Sequence, residues 1–112
     1  MEKDAYLQRI HTHLKTAYLL DEEKIETMMP VFIATLRAHM NRLVELAEND
    51  NQEQLAKASH AVKGALLNIG LTDLAKTAQS IENHCNGGTP PKRCQALIAE
   101  LKYVITLLAD DW

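Results

Sequence analysis

The residues best suited to chemistry in this sequence are a histidine, two lysines and a glycine in the stretch 57–64. His60 stands three positions from Lys57 and three from Lys63, and Gly64 follows directly. Residues three and four apart share a face of a helix, so both lysines would flank the histidine and Gly64 would bare the backbone beside it. Imidazole is a competent nucleophile. The stretch therefore predicts a site where a small anion binds to His60, covalently or loosely.

The orientation of His60 follows from the apolar residues around it. On a helix these residues form one stripe, which is typical of a surface that faces the core. The stripe consists of Leu55, Ala58, Val62, Ala65, Leu66 and Ile69. His60 lies opposite this stripe and is therefore predicted to face water, where a histidine that serves only packing would not be placed.

Glu82 is a second unusual residue, because it lies near the apolar stripe of the following helix. That stripe consists of Leu71, Leu74, Ala75, Ala78, Ile81 and Cys85. A charge in such a place is costly unless it has a partner. If the two helices fold back antiparallel about Gly70 and Leu71, His60 and Glu82 fall in the same layer. The carboxylate would then accept a hydrogen bond from one imidazole nitrogen, fix the tautomer and leave the other nitrogen as nucleophile.

Helices are also the elements that must position these residues. Apolar residues recur at helical spacing along the chain, and β-branched alternation is absent. We expect an extra helix in residues 1–20 and a bundle over about 21–110, with the histidine helix over about 51–69. Short connections imply antiparallel neighbours. The sequence thus predicts an all-α fold, an antiparallel up-and-down four-helix bundle with an additional N-terminal helix.

Two further stripes define the faces of the first and second helices. The first stripe consists of Leu7, Ile10, Leu14, Ala17 and Tyr18. The second consists of Ile25, Met29, Phe32, Ile33, Leu36, Met40, Leu43, Val44 and Ala47. Met28, Val31 and Leu46 fall outside it. Pro30 removes a backbone donor, so we expect a kink there, or a short helix followed by a long one.

The ends of the helices carry their own signals. Asp21, followed by two glutamates, predicts a helix start. Asp50 with Glu53 resembles a capping box, and Gly70 is placed to end the histidine helix as a left-handed cap.

The last helix is predicted to begin after a glycine-rich break at residues 86–88. Thr89 is expected to cap it and Pro90 to occupy its first position. Its apolar face consists of Cys94, Leu97, Ile98, Leu101, Val104, Ile105 and Leu108, with Trp112 in phase beyond them.

Composition narrows the class of protein. The chain has 112 residues, of which 46% are hydrophobic and 24% charged, which suits one globular domain. A formal net charge of −3 argues against a nucleic-acid partner. No apolar run is long enough to span a membrane, and no signal peptide is visible. We expect a cytoplasmic protein, with Cys85 and Cys94 as buried free thiols.

The pattern His60-x-x-Lys63-Gly64-Ala65, with Gly70 ten residues after the histidine, resembles the histidine-containing phosphotransfer (HPt) domain of multistep phosphorelays. The resemblance is dense over about residues 56–85 and extends as a helix pattern from about residue 21 to the end. It implies that His60 takes a phosphoryl group from an aspartyl phosphate on a receiver domain and passes it to another receiver.

The same resemblance assigns roles around His60. Lys63, one helical turn away on the solvent side, would steady the phosphoryl charge; Lys57 is a further candidate from its spacing alone. Gly64 would let the partner approach closely. Glu82 stands where members carry Gln or Glu bonded to the imidazole. Leu67 departs from the pattern, since many members keep a small residue there, and the motif does not fix a role for residues 1–20.

The resemblance also implies what the protein works with. Its partners would be receiver domains of a hybrid sensor kinase and of a response regulator, with no nucleic acid and no membrane. It would need no cofactor or metal of its own, because the receiver brings Mg²⁺. It would be a phosphoryl carrier without turnover of its own, formally a histidine phosphotransferase, and a monomer.

Three other kinds of protein remain to be weighed. In a helical adaptor without phosphotransfer, His60 would be incidental. A histidine-kinase dimerisation hairpin also exposes a phosphorylated histidine, but it would carry an acidic residue where this chain has Ala61, and a nucleotide-binding domain that 112 residues cannot hold. A metal-carrying bundle needs inward-facing Glu/His pairs, which are missing. The remaining histidines are read as structural or solvated: His11, His13, His39 and His84.

Overall fold

The fold consists of helices in every part of the chain that the computed structural model describes, residues 2–49 and 51–109. Helix α1 spans Glu2–Ala17, α2 Glu22–Glu48, α3 Gln52–Asn68, α4 Thr72–Asn86 and α5 Gln95–Ala109, with a 3₁₀ turn over Pro91–Cys94 before α5. Each of α2 to α5 packs against the next, α5 closes back onto α2, and α1 contacts α2 and α5. This confirms the antiparallel four-helix bundle with an additional N-terminal helix.

The core lies between α2, α3, α4 and α5, where the predicted stripes meet, and α1 adds two buried side chains to it. Its largest fully buried side chains are Ile10, Leu14, Ile25, Ile33, Leu36, Leu43, Leu55, Leu66, Ile69, Leu71, Ile81 and Leu101. Leu46, predicted outside the stripe, is buried. Because α2 packs against α1, α3 and α5, it buries a wider arc than a single stripe. Ala17 and Tyr18 are exposed, since α1 ends at Ala17 and its stripe does not continue over the bundle.

The start of α2 was predicted correctly, while one of the two alternatives expected at Pro30 is wrong. Asp21 caps α2, its carboxylate accepting a hydrogen bond of 2.9 Å from the backbone N–H of Lys24. Pro30 lies inside an unbroken α2, so the expectation of a short helix followed by a long one is wrong. One missing N–H costs a single hydrogen bond, and the packing of Met29 and Ile33 on either side is kept.

The ends of α3 are set by an asparagine and a glycine. Asn51 is the N-cap and accepts a hydrogen bond of 3.2 Å from the backbone N–H of Gln54. The predicted capping residue, Asp50, lies outside the described residues. After α3, Gly70 has φ +81°, a left-handed conformation that favours glycine. Its predicted role as the cap is confirmed.

The helical segment after the glycine-rich break begins one residue later than predicted, as a 3₁₀ turn, and α5 itself begins at Gln95. Pro90 is extended, with φ −61° and ψ 144°, and the 3₁₀ turn begins at Pro91 without a side-chain cap. The physical reason is that a residue followed by proline is disfavoured in the helical region, so Pro90 cannot take the first helical position. Thr89 instead accepts a hydrogen bond of 2.6 Å at its carbonyl from Gln52 Nε2. This bond ties the loop to the start of α3.

Polar contacts attach α1 to the end of the bundle that carries the α3–α4 turn. Arg9 pairs with Asp73 at 2.6 Å, and His11 Nε2 lies 2.7 Å from a carboxylate oxygen of Glu22. The His13 side chain packs closely against Gly70. Among the described helices, none combines the length and the apolar character needed to cross a membrane.

Candidate functional site

The α3–α4 hairpin brings His60 and Glu82 together, as its predicted register requires. The turn closes with hydrogen bonds from the backbone N–H of Gly70 to Leu67 and from that of Leu71 to Leu66, of 3.1 and 3.0 Å. Nδ1 of His60 then lies 3.2 Å from both carboxylate oxygens of Glu82. The pairing inferred from equal distances to the turn is therefore present in the folded chain.

The environment of this pair leaves one imidazole nitrogen available. The His60 side chain is 65% exposed, whereas that of Glu82 is 18% exposed. An ionised carboxylate can only accept, so the hydrogen bond puts the proton on Nδ1 and the lone pair on Nε2. Nε2 has no hydrogen-bond partner among residues 2–49 and 51–109. An exposed nitrogen lone pair on an oriented ring is a competent nucleophile.

Lys63 lies elsewhere than predicted. Its ammonium donates a hydrogen bond of 2.6 Å to Oε1 of Gln79 and lies 3.6 Å from Oε1 of Glu82. The side chain is 22% exposed, so the expectation that it points to solvent is wrong. On α4, Gln79 offers the ammonium a hydrogen bond and Glu82 offers it a carboxylate. These contacts take the place of the water that would surround the ammonium on the outer face of the bundle. Lys63 and His60 thus share one carboxylate.

Gln79 is the residue of this network that the sequence reasoning missed. Besides accepting from Lys63, its Nε2 donates a hydrogen bond of 2.8 Å to Oδ1 of Asn83. The signal was present in the register: if position 60 faces position 82 across the antiparallel hairpin, position 63 faces position 79. Gln79 lies outside the apolar stripe of α4, so it looks like an ordinary solvated residue. Its role becomes visible only when the register of the hairpin is applied to Lys63 as well as to His60.

A shallow cavity of ≈ 290 Å³ lies beside the imidazole. It is lined by Glu53, Ala56, Lys57, His60, Glu82 and Asn86. Lys57 is 67% exposed and lies 3.8 Å from Glu53, an (i, i+4) pair that is weak at this exposure. The cavity therefore has the Lys57 ammonium at one side and the His60 ring at another.

The surface around His60 is open and partly apolar. A Cβ atom added to Gly64 would meet no atom within 4 Å, so a partner can approach the backbone closely at this position. Leu67, one turn further along α3, is 45% exposed. On the neighbouring α2, Val31 is 62% exposed, while Met28 is half-buried. Leu67, on the same helix as His60, is thus available for apolar contact with a protein partner.

The other candidate residues lie away from this site. His11 pairs with Glu22, and His13 packs between Gly70 and the ring of Tyr18. Cys85 and Cys94 are free, buried thiols, and burial raises the pKa of Cys85 to about 11. In the described part of the chain, no group of three or more His, Cys, Asp or Glu residues is arranged to hold a metal ion.

Comparison with known proteins gives one match. The family model described as Hpt domain matches residues 27–111, a span that begins within α2, contains α3, α4 and α5, and leaves α1 outside. No curated protein and no solved structure matches the chain. The match includes the α3–α4 hairpin and with it every residue of the site described above.

Proposed function

We propose, from the premise that this chain belongs to the Hpt domain family, that it relays a phosphoryl group between receiver aspartates through His60. Hpt domains carry phosphoryl groups in phosphorelays, and this chain shares that general role. The observation that carries the proposal for His60 is its exposed ring, with Nδ1 held by Glu82 and Nε2 without a partner in the described part of the chain.

The transfer itself is a displacement at phosphorus. The lone pair on Nε2 of His60 forms the P–N bond while the P–O bond of the aspartyl phosphate breaks, and the aspartate leaves as a carboxylate. The ring keeps its proton on Nδ1 and so becomes positively charged, and the Glu82 carboxylate faces that charge at 3.2 Å. The reverse displacement hands the group to the next receiver. Such transfers depend chiefly on positioning and on charge stabilisation.

Three neighbours of His60 have proposed roles in this reaction. Lys57 lines the cavity beside the ring, where its ammonium is free to meet phosphoryl oxygens. Lys63 supplies a second cation once it leaves its partners on α4. Gly64 provides the open backbone that lets the receiver bring its aspartate within bonding distance, because no side chain fills the space around it.

The receiver is proposed to dock on the exposed surface of α2 and α3. Leu67 and Val31 supply apolar contact there, in preference to the half-buried Met28. Amide shifts on addition of a receiver are expected to concentrate at residues 28–36 and 56–68. Shifts mainly in α5 would point to a different face.

The remaining expectations belong to the same proposal. The donors and acceptors are receiver domains of a hybrid sensor kinase and of a response regulator, and they bring the Mg²⁺. The protein has no turnover of its own, works as a monomer in the cytoplasm, and combines α1 and the bundle in one domain. A formal net charge of −3 supports a partner other than nucleic acid.

Transfer from a receiver loaded with radioactive phosphate tests the proposal. The wild type should become labelled, His60→Gln should not, and the label should be lost in acid, as a phosphoramidate is. His84→Gln is the matched control, since His84 is an exposed histidine on α4 and its loss should not matter. A label that persists in His60→Gln contradicts the site. Binding without any label would support the adaptor function instead.

A further inference from the structure

The polar residues between α3 and α4 form two layers one helical turn apart. In one layer His60 faces Glu82, with Nδ1 at 3.2 Å from the carboxylate oxygens. In the other Lys63 faces Gln79, with Nζ at 2.6 Å from Oε1. The distance from Lys63 Nζ to Glu82, 3.6 Å, is longer than the distance to Gln79. The lysine is therefore held mainly in its own layer, by the amide.

We propose that Gln79 is a positioning residue for phosphotransfer, which keeps the Lys63 ammonium on α4 until the phosphoryl group arrives on His60. The inference rests on the proposed function of His60. Gln79 is itself fixed, because its Nε2 donates to Oδ1 of Asn83 at 2.8 Å. With the amide oriented in this way, its oxygen points to Lys63 and its nitrogen to Asn83. Lys63 is restrained by a hydrogen bond, whereas Lys57 has only the exposed ion pair with Glu53.

The consequence is a competition for the ammonium. An ammonium has three N–H donors and no acceptor. In the free protein the Lys63 ammonium donates a hydrogen bond to Gln79 and lies beside Glu82. Phosphorylation places a doubly negative group on Nε2. The ring gains a positive charge, which pairs with the Glu82 carboxylate. Lys63 then exchanges the neutral amide oxygen for phosphoryl oxygens. The only covalent change is the phosphoryl transfer described above. Lys63 changes its hydrogen-bond partners and takes no part in the bond exchange.

Breaking the bond to Gln79 opposes the phosphorylated state, so Gln79 sets the phosphoryl-transfer potential of His60. A protein that relays a phosphoryl group onward benefits from this, because a phosphohistidine that is stabilised too well does not pass the group on. Removing the amide oxygen should therefore shift the equilibrium towards phospho-His60. Replacing the amide with a carboxylate should shift it in the opposite direction, because a charged acceptor holds the ammonium more strongly.

The test measures the equilibrium constant for phosphoryl exchange between the full chain and a receiver domain phosphorylated with acetyl phosphate. Gln79→Met should raise the equilibrium constant in favour of phospho-His60 by about threefold to tenfold, the range for the net contribution of one ordinary hydrogen bond. Gln79→Glu should lower it. Gln95→Met is the matched control, because Gln95 is an exposed glutamine at the start of α5, and it should change nothing.

A double-mutant cycle separates positioning from a merely structural role. In a Lys63→Met background, Gln79→Met should have no further effect on the equilibrium constant, since no ammonium remains to be released. The side-chain ammonium signal of Lys63 in NMR spectra should move in Gln79→Met. An unchanged or lowered constant in Gln79→Met, or a rise that persists without Lys63, overturns the inference. Absence of phosphate on the wild type would instead overturn the proposed function, so the two failures are distinguishable.

Discussion

Replacement of Gly64 by alanine should make the protein more stable. Gly64 lies in the interior of α3 and is not one of the glycines with positive φ. A Cβ atom there meets nothing within 4 Å. The helix therefore gains the difference in propensity, about 0.5–1 kcal/mol, which corresponds to a rise in Tm of roughly 2–6 °C for a domain of this size. Thermal and urea unfolding followed by circular dichroism measure both quantities.

Gly70→Ala is the matched control and should have the opposite effect. Gly70 has φ +81°, and an added Cβ would lie 2.5 Å from the Cβ and Cγ atoms of His13. The left-handed conformation alone costs an alanine about 1–2 kcal/mol. A lower stability of Gly64→Ala would refute the open environment described for that position. Gly64→Gln should fold and yet block transfer from a receiver, so transfer at the wild-type rate would refute close approach at this glycine.

Three further predictions concern pH, thiol reactivity and docking. The hydrogen bond from Arg9 lowers the pKa of Asp73, so this pair stabilises the fold above the ordinary carboxyl pKa, and its contribution is lost as the pH falls through the lowered value. In urea unfolding, Arg9→Met should cost at most about 1 kcal/mol at pH 7 and less at pH 2; an equal loss at both would contradict the ion pair. Because burial raises the pKa of Cys85 to about 11 and also raises that of Cys94, iodoacetamide at pH 8 should alkylate the unfolded chain and spare the native protein, and rapid native alkylation would argue against burial. Leu67→Asp should change the free energy of unfolding by less than about 0.5 kcal/mol and slow transfer from a receiver severalfold, whereas a loss of stability without slower transfer would mean that Leu67 serves packing.

The antiparallel fold and the His60–Glu82 contact were predictable from the sequence because both follow from helical periodicity. The hydrophobic stripes fix which face of each helix is buried, and Gly70 fixes where the chain reverses. Those two facts set the register of α3 against α4, and the register places the carboxylate on the imidazole. The buried Leu46 shows the limit of this reasoning, since the width of a buried arc depends on how many neighbours a helix has.

The position of Lys63 could not be read from its own helix. On α3 alone the residue lies toward solvent, and only α4 supplies the acceptors on Gln79 and Glu82 that draw its long side chain inward. Whether water or a neighbouring helix binds the Lys63 ammonium depends on tertiary contacts, which the pattern of α3 alone does not show. The displaced start before α5 has a local cause, since Pro91 disfavours the helical region at Pro90 and the 3₁₀ turn therefore begins at Pro91.

The most direct measurement is to determine whether a receiver phosphorylates His60 and on which ring nitrogen. Protein labelled with ¹⁵N and phosphorylated by a receiver would show it in long-range ¹H–¹⁵N and ³¹P spectra. Because Glu82 holds the proton on Nδ1 at 3.2 Å, the phosphoryl group is expected on Nε2 of His60 and on no other residue. A phosphoryl group on Nδ1, or on a different side chain, would contradict the assignment of His60 and Glu82 to their roles.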